Sequence, residues 1–153
     1  MDYPNRVSLL VRNNLLQSPM IETVIVCMLS MSPTVVDMDT YINCRSDENK
    51  IEVVEKWIPL IQSYFDTQAE QRKALKIIYC ESRGNPNAVG VNTNGTKDIG
   101  LWQFNDDTWA WLKPKLNITS SRKNALVSTA VAKWLIVNDG WYHWNSSRHC
   151  WDN

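Results

Sequence analysis

The stretch that most constrains this chain runs from Glu81 to Asn105. Gly84-Asn-Pro-Asn87 and Asn92-Thr-Asn-Gly-Thr96 crowd Gly, Pro and Asn so closely that no helix can pass through them. Before them stands an apolar, helix-like run, Ala74-Leu-Lys-Ile-Ile-Tyr-Cys80, that ends in Glu81. After them Asp98 leads into Gly100-Leu-Trp-Gln-Phe104. Two carboxylates therefore come from different elements on either side of a turn. Cleavage of a glycoside needs such a pair, one acid to protonate the leaving oxygen and one carboxylate to face the developing positive charge.

The flanking segments predict a mostly helical α+β domain with a small hairpin beside the helix that carries Glu81. Asp47-Glu48 is placed to cap a first helix reaching Phe65. Its apolar positions Ile51, Val54, Ile58, Ile61 and Phe65 lie on one face, and Pro59 predicts a kink or a break into two short helices. A second helix is expected over Gln68–Ser82, with Ala74 and Ile78 on the face that also carries Glu81. Desolvation at the edge of that stripe would favour the protonated carboxyl, as a general acid requires. Val89 to Phe104 reads as two strands around a type I′ turn at Asn94-Gly95, with Asp98 on the return strand and Gly100 free to approach a ligand. Asn105-Asp-Asp-Thr108 reads as an N-cap cluster before a short helix, Trp109 to about Leu112, which Pro114 is expected to end. A last helix spans about Asn124 to Val137, its apolar face made by Val127, Ala130, Val131, Trp134 and Leu135, and Gly140 stops it.

Length and charge narrow the class. A chain of 153 residues suits one domain with a core. The expected division is a leader or disordered extension over 1–45 and a catalytic domain over 46–153. Formal net charge is zero, and residues 46–153 hold 13 basic against 12 acidic side chains, which argues against a nucleic-acid partner. Eight Trp are unusual; about half are expected in the core and the rest along a surface or cleft. Arg6 and Arg12 precede the apolar run Val24–Leu29, a pattern similar to a secretory leader, so the protein is expected to be secreted. No run reaches the roughly 18 apolar residues of a stable membrane span. His143 and His149 stand in no ligand constellation, so neither a metal nor another cofactor is assigned. Four cysteines, at 27, 44, 80 and 150, allow three complete pairings, and four reduced thiols in a cytosolic protein remain the other reading.

The positions Cys80-Glu81-Ser82, Asn85-Pro86 and Gly100-Leu-Trp-Gln103 resemble the lysozyme superfamily, and most nearly the soluble-lytic-transglycosylase (SLT) domain. The hairpin Asn92–Asp98 resembles that of c-type lysozymes, with the aspartate 17 positions after the glutamate. The cysteine before Glu81, with Gly140-Trp-x-x-Trp144 and a late cysteine, is similar to resuscitation-promoting factors. The resemblance implies a lysozyme-like fold over about residues 50–151. It also implies cleavage of the β-1,4 bond between N-acetylmuramic acid and N-acetylglucosamine in peptidoglycan, or action on another N-acetylglucosamine-containing glycan, by a monomer.

Under this resemblance Glu81 is the acid, and Asp98 the nucleophile or electrostatic partner. Gln103 and Asn105 line the sugar subsites, and Asn92 lies where the hairpin reaches the substrate. Trp141 and Trp144 supply stacking or the apolar wall around Glu81. The resemblance also pairs Cys80 with Cys150, leaving Cys44 free or bridged between chains if a leader carrying Cys27 is removed. A lysozyme-type hydrolase leads this reading. A lytic transglycosylase forming a 1,6-anhydro product, or a glycan-binding protein without activity, are the alternatives.

Overall fold

The computed structural model describes residues 27–28 and 38–152. The proposed leader thus lies largely outside the described residues. Contacts divide the chain into two compact units, 1–49 and 50–153. In the first, Cys27 and Cys44 form a disulfide, so within this chain Cys44 is neither free nor bridged to a second copy. Helix α1, Met38–Val53, begins well before Asp47-Glu48, which therefore lie inside a helix instead of capping one. Among the described residues no helix is long and apolar enough to cross a membrane.

In the second unit α1 ends at Val54, whose φ of −113° and ψ of 13° are not helical. A 3-10 turn, Glu55–Trp57, and a short helix α2, Ile58–Gln62, follow. The break falls ahead of Pro59, which sits in the first turn of α2, where a missing N–H costs nothing. The predicted stripe holds: Val54, Ile61 and Phe65 are fully buried. Helix α3 spans Gln68–Ser82, and its N-cap Thr67 accepts a bond from Glu70 N. Ala74, Leu75, Ile77 and Ile78 bury one side of α3 in the core. Arg83 ends it in the left-handed conformation, at φ 52°.

A three-stranded antiparallel sheet follows, β1 Val89–Val91, β2 Lys97–Ile99 and β3 Phe104–Asn105, in that order across the sheet. The β1–β2 turn differs from the type I′ expectation. Asn92 N bonds Thr96 O, Gly95 N bonds Asn92 O, and only Gly95 of the loop has positive φ, at +83°. This is a three-residue loop closed by a glycine bulge, which needs one left-handed residue where type I′ needs two. Strand β3 was not foreseen; two residues are too few for alternation to show in sequence.

Helix α4 spans Asp106–Lys115 and contains Pro114 instead of stopping before it. Pro114 forfeits its own N–H bond and crowds the Ala110 carbonyl, but only one helical residue follows it, and the capping bond Leu116 N to Leu112 O at 2.9 Å survives. Helix α5, Ala125–Asp139, is capped by Asn124 and stopped by Gly140. Its buried residues Ser128, Thr129, Ala132 and Ile136 extend the predicted apolar face into a wider arc. A 3-10 segment, Trp141–Ser147, kinked at Trp144, leads into a last short helix α6, Arg148–Trp151. Four of the tryptophans, Trp102, Trp109, Trp144 and Trp151, are buried. Cys80 and Cys150 form the second disulfide and fasten α6 to α3 beside Glu81.

Candidate functional site

Glu81 owes its position to its neighbour. Ser82 is buried, and its Oγ donates to Leu101 O at 2.8 Å or to Ile78 O at 3.1 Å. The first bond ties the end of α3 to the turn between β2 and β3. Trp57 Nε1 donates to Gly84 O at 3.0 Å and holds the turn that follows α3. Gly84 is tight there, since a Cβ would stand 3.1 Å from Val54 Cγ1. The helix end and the sheet are thus fixed to each other through the chain that joins them.

Asp98 is held as firmly. Its two oxygens accept from Asn92 Nδ2 at 3.0 Å and Asn105 Nδ2 at 2.8 Å. The remaining N–H of each amide reaches Thr96 Oγ1, at 3.2 and 3.0 Å. An amide nitrogen has two protons, so both asparagines have spent their donors inside the hairpin. Asn105 Oδ1 is also engaged, capping α4 at Asp107 N. Gln103 Nε2 donates to Gly100 O at 2.8 Å and Ala88 O at 3.3 Å. The three amides therefore brace the hairpin rather than offer N–H groups to a ligand. Gly100 serves packing too: at φ +92° its missing Cβ makes room for Arg122 O, which a methyl would meet at 2.3 Å.

A cleft of about 140 Å³ brings these groups together, lined by Glu81, Asp98, Gln103, Asn105 and Trp144, with Trp102 and Leu135 at its apolar side. Asn92 reaches it through Asp98. Trp141 does not line it. Its ring stacks on Phe65 at 6.0 Å and lies under Lys73 Nζ at 5.3 Å. Trp144 does form a wall; it is buried, packs against Trp102 at 5.3 Å and donates Nε1 to Trp102 O. Thr108, His143 and Ser146 also line the cleft. A larger cavity, about 360 Å³, lies between Leu116–Ser120 and α5, with Leu126, Val127 and Trp134 in its wall. It is lined by no acid, base or thiol and has no means of bond cleavage.

Burial raises the pKa of Glu81 above its ordinary value of 4.5. A hydrogen bond from Ser147 Oγ, 2.5 Å from Oε1, opposes that rise, and the charge of Asp98 adds to it. The cleft thus holds one carboxyl biased toward its protonated form beside a second carboxylate fixed by two amides. Among the described residues no group of His, Cys, Asp and Glu is arranged to hold a metal ion. Ser147 escaped the sequence reading because 66 positions separate it from Glu81. Its only visible signal was the tripeptide Asn145-Ser-Ser147, a common glycosylation triplet.

A helical domain whose core helix ends in a half-buried glutamate, beside a three-stranded sheet carrying an aspartate, is a lysozyme-like α+β domain. A family model described as the transglycosylase SLT domain matches residues 61–137, and the chain belongs to this family. The matched span covers Glu81, the sheet and most of α5, and ends before the 3-10 segment and the Cys150 tail. Neither the curated proteins nor the solved structures gave a match.

Proposed function

We propose that the protein is a lytic transglycosylase acting on the β-1,4 bond between N-acetylmuramic acid and N-acetylglucosamine in peptidoglycan. The observation that carries this reading is the half-buried carboxyl of Glu81, its pKa raised by desolvation, within a chain of the SLT family. Family membership favours this alternative over the hydrolase that leads from sequence alone.

Glu81 passes its proton to the glycosidic oxygen as the bond to the muramyl anomeric carbon breaks, and N-acetylglucosamine leaves as an alcohol. The Glu81 carboxylate then takes the proton of the muramyl C6 hydroxyl as that oxygen bonds the anomeric carbon. The product is a 1,6-anhydro sugar, no water is consumed, and Glu81 ends protonated as it began. Asp98 faces the positive charge that develops at the sugar. Its two amide partners keep it in place through the cycle. Asn92, Gln103 and Asn105 act in this scheme by holding the sheet in register, and Trp144 by keeping water from Glu81.

Asp98 is also the observation that favours a second reading, a two-carboxylate muramidase in which Asp98 attacks the anomeric carbon or stabilises the cation while water completes hydrolysis. Two disulfides suit an oxidising compartment, which supports a secreted location. Mass spectrometry of the products from purified peptidoglycan separates the readings. Anhydro-muropeptides made by wild type and Asp98→Asn, and absent with Glu81→Gln, support transglycosylation. Reducing-end muropeptides lost in both variants would replace it with the muramidase. Glycan binding by folded wild type without any product would remove catalysis altogether.

A further inference from the structure

Three groups converge on one hydroxyl next to the cleft. Ser147 Oγ lies 2.5 Å from Glu81 Oε1, 3.1 Å from Trp144 O and 3.2 Å from Trp151 Nε1. A serine hydroxyl donates once and accepts twice, whereas an indole nitrogen only donates. The one N–H of Trp151 is shared between Ser147 Oγ and Trp144 O, the carbonyl being the nearer at 3.0 Å, so it can pair with whichever of the two the serine proton leaves. The serine proton is left with two acceptors to choose between, the glutamate and the Trp144 carbonyl.

That choice matches the two states of Glu81. While Glu81 is ionised, Ser147 donates to it, and Trp144 O keeps a partner because Trp151 Nε1 also reaches it, at 3.0 Å. When Glu81 carries a proton, the acid donates into the second acceptor site of Ser147, and the serine proton turns to Trp144 O. Neither arrangement leaves a buried polar group unpaired, and the change needs only rotation of an O–H bond. The oxygens themselves stay still.

We propose that Ser147 is the positioning residue that allows Glu81 to serve as acid and then as base in one cycle, by reversing the direction of their shared hydrogen bond. This rests on the reading of Glu81 as the acid and base of glycoside cleavage. The serine proton is never transferred; the proton that moves goes from Glu81 to the leaving oxygen and returns to Glu81 from the attacking hydroxyl. The surroundings hold Ser147 in place for this. Trp151 is buried, Cys150 is bonded to Cys80, and Lys50 Nζ donates to Cys150 O at 2.7 Å. Among the described residues, the charged or titratable groups nearby include Asp98 on β2, His143 on the 3-10 segment, which faces Asp139 at 3.3 Å, Arg83, whose guanidinium lies over Tyr79, and Lys73 on α3, whose Nζ stands 4.7 Å from the Trp151 ring. None of them is hydrogen-bonded to Ser147 Oγ.

The test is the pH–rate profile of peptidoglycan cleavage in Ser147→Ala and in the isosteric pair Ser147→Thr and Ser147→Val. Loss of a hydrogen bond to a charged group should slow cleavage roughly 10- to 100-fold in the Ala and Val variants. Their alkaline limb should move to higher pH, because the ionised glutamate has lost its donor. Ser147→Thr should restore both the rate and the limb. If Ser147→Ala does not fold, the Thr and Val variants, equal in shape, still isolate the hydroxyl. Identical profiles for Thr and Val, with Glu81→Gln inactive, would overturn the role of Ser147 alone. Cleavage persisting in Glu81→Gln would overturn the reading beneath it.

Discussion

Removing the disulfide between Cys80 and Cys150 should cost the 50–153 unit much of its stability. The bridge closes a loop of 70 positions. In the chain-entropy model such a loop restricts the unfolded chain by about 4 kcal/mol at 25 °C. A domain of this size unfolds with a margin of roughly 5–15 kcal/mol, so the loss takes a large part of it. It corresponds to a fall in melting temperature of roughly 20–30 °C. The perturbation is Cys80→Ala with Cys150→Ala, because a reductant would also open Cys27–Cys44. Urea unfolding followed by tryptophan fluorescence reads the difference, with the denaturant slope compared between the two proteins. Loss of less than about 1 kcal/mol at an unchanged slope would refute the reasoning, for it would mean that closing this loop does not limit the unfolded chain.

Two further outcomes are expected. Folded Glu81 keeps its proton to higher pH than the unfolded chain does, so stability falls as pH rises from its ordinary value of 4.5 through the raised one, and the cost persists above it. Glu81→Gln should therefore melt higher than wild type at pH 8, with the gap closing below about pH 4.5; an equal or lower melting temperature at pH 8 would sink the burial argument. Gly100→Ala should lose at least about 2 kcal/mol in urea unfolding, since its φ of +92° is strained for alanine and the new methyl meets the Arg122 backbone. A change within about 0.5 kcal/mol would show that the Arg122 segment yields.

Much of this molecule was legible in the chain because it is decided locally. The span of α3 follows from its apolar period and from the turn cluster after Glu81. The hairpin centred on Asn94-Gly95 was legible for the same reason, although its turn type was not: a glycine bulge and a type I′ turn share the same residues and differ only in how many go left-handed. The Pro114 break failed because the cost of a proline depends on which turn of the helix it enters.

The composition of the cleft belongs to the tertiary structure. Sequence placed Glu81 and Asp98 on facing elements and marked Asn92, Gln103 and Asn105 as companions of a sugar site. It did not reveal that these amides turn their N–H groups inward to the hairpin, because a local pattern does not tell which acceptor is nearest in space. Nor did it separate Trp141 from Trp144, three positions apart on one segment, since the kink at Trp144 and the stack on Phe65 are decided by packing. Ser147 is the clearest case. Its neighbours in sequence carry no sign of Glu81; only the folding back of the tail, tied at Cys80–Cys150 and filled by Trp151, brings its hydroxyl to the carboxyl. What the sequence determined by itself is that a helix-end acid and a hairpin carboxylate share one domain, because helix period and turn chemistry act over a few residues. What only the fold decided is which hydrogen bonds hold those two groups, because such bonds form between residues that the chain separates and packing brings together.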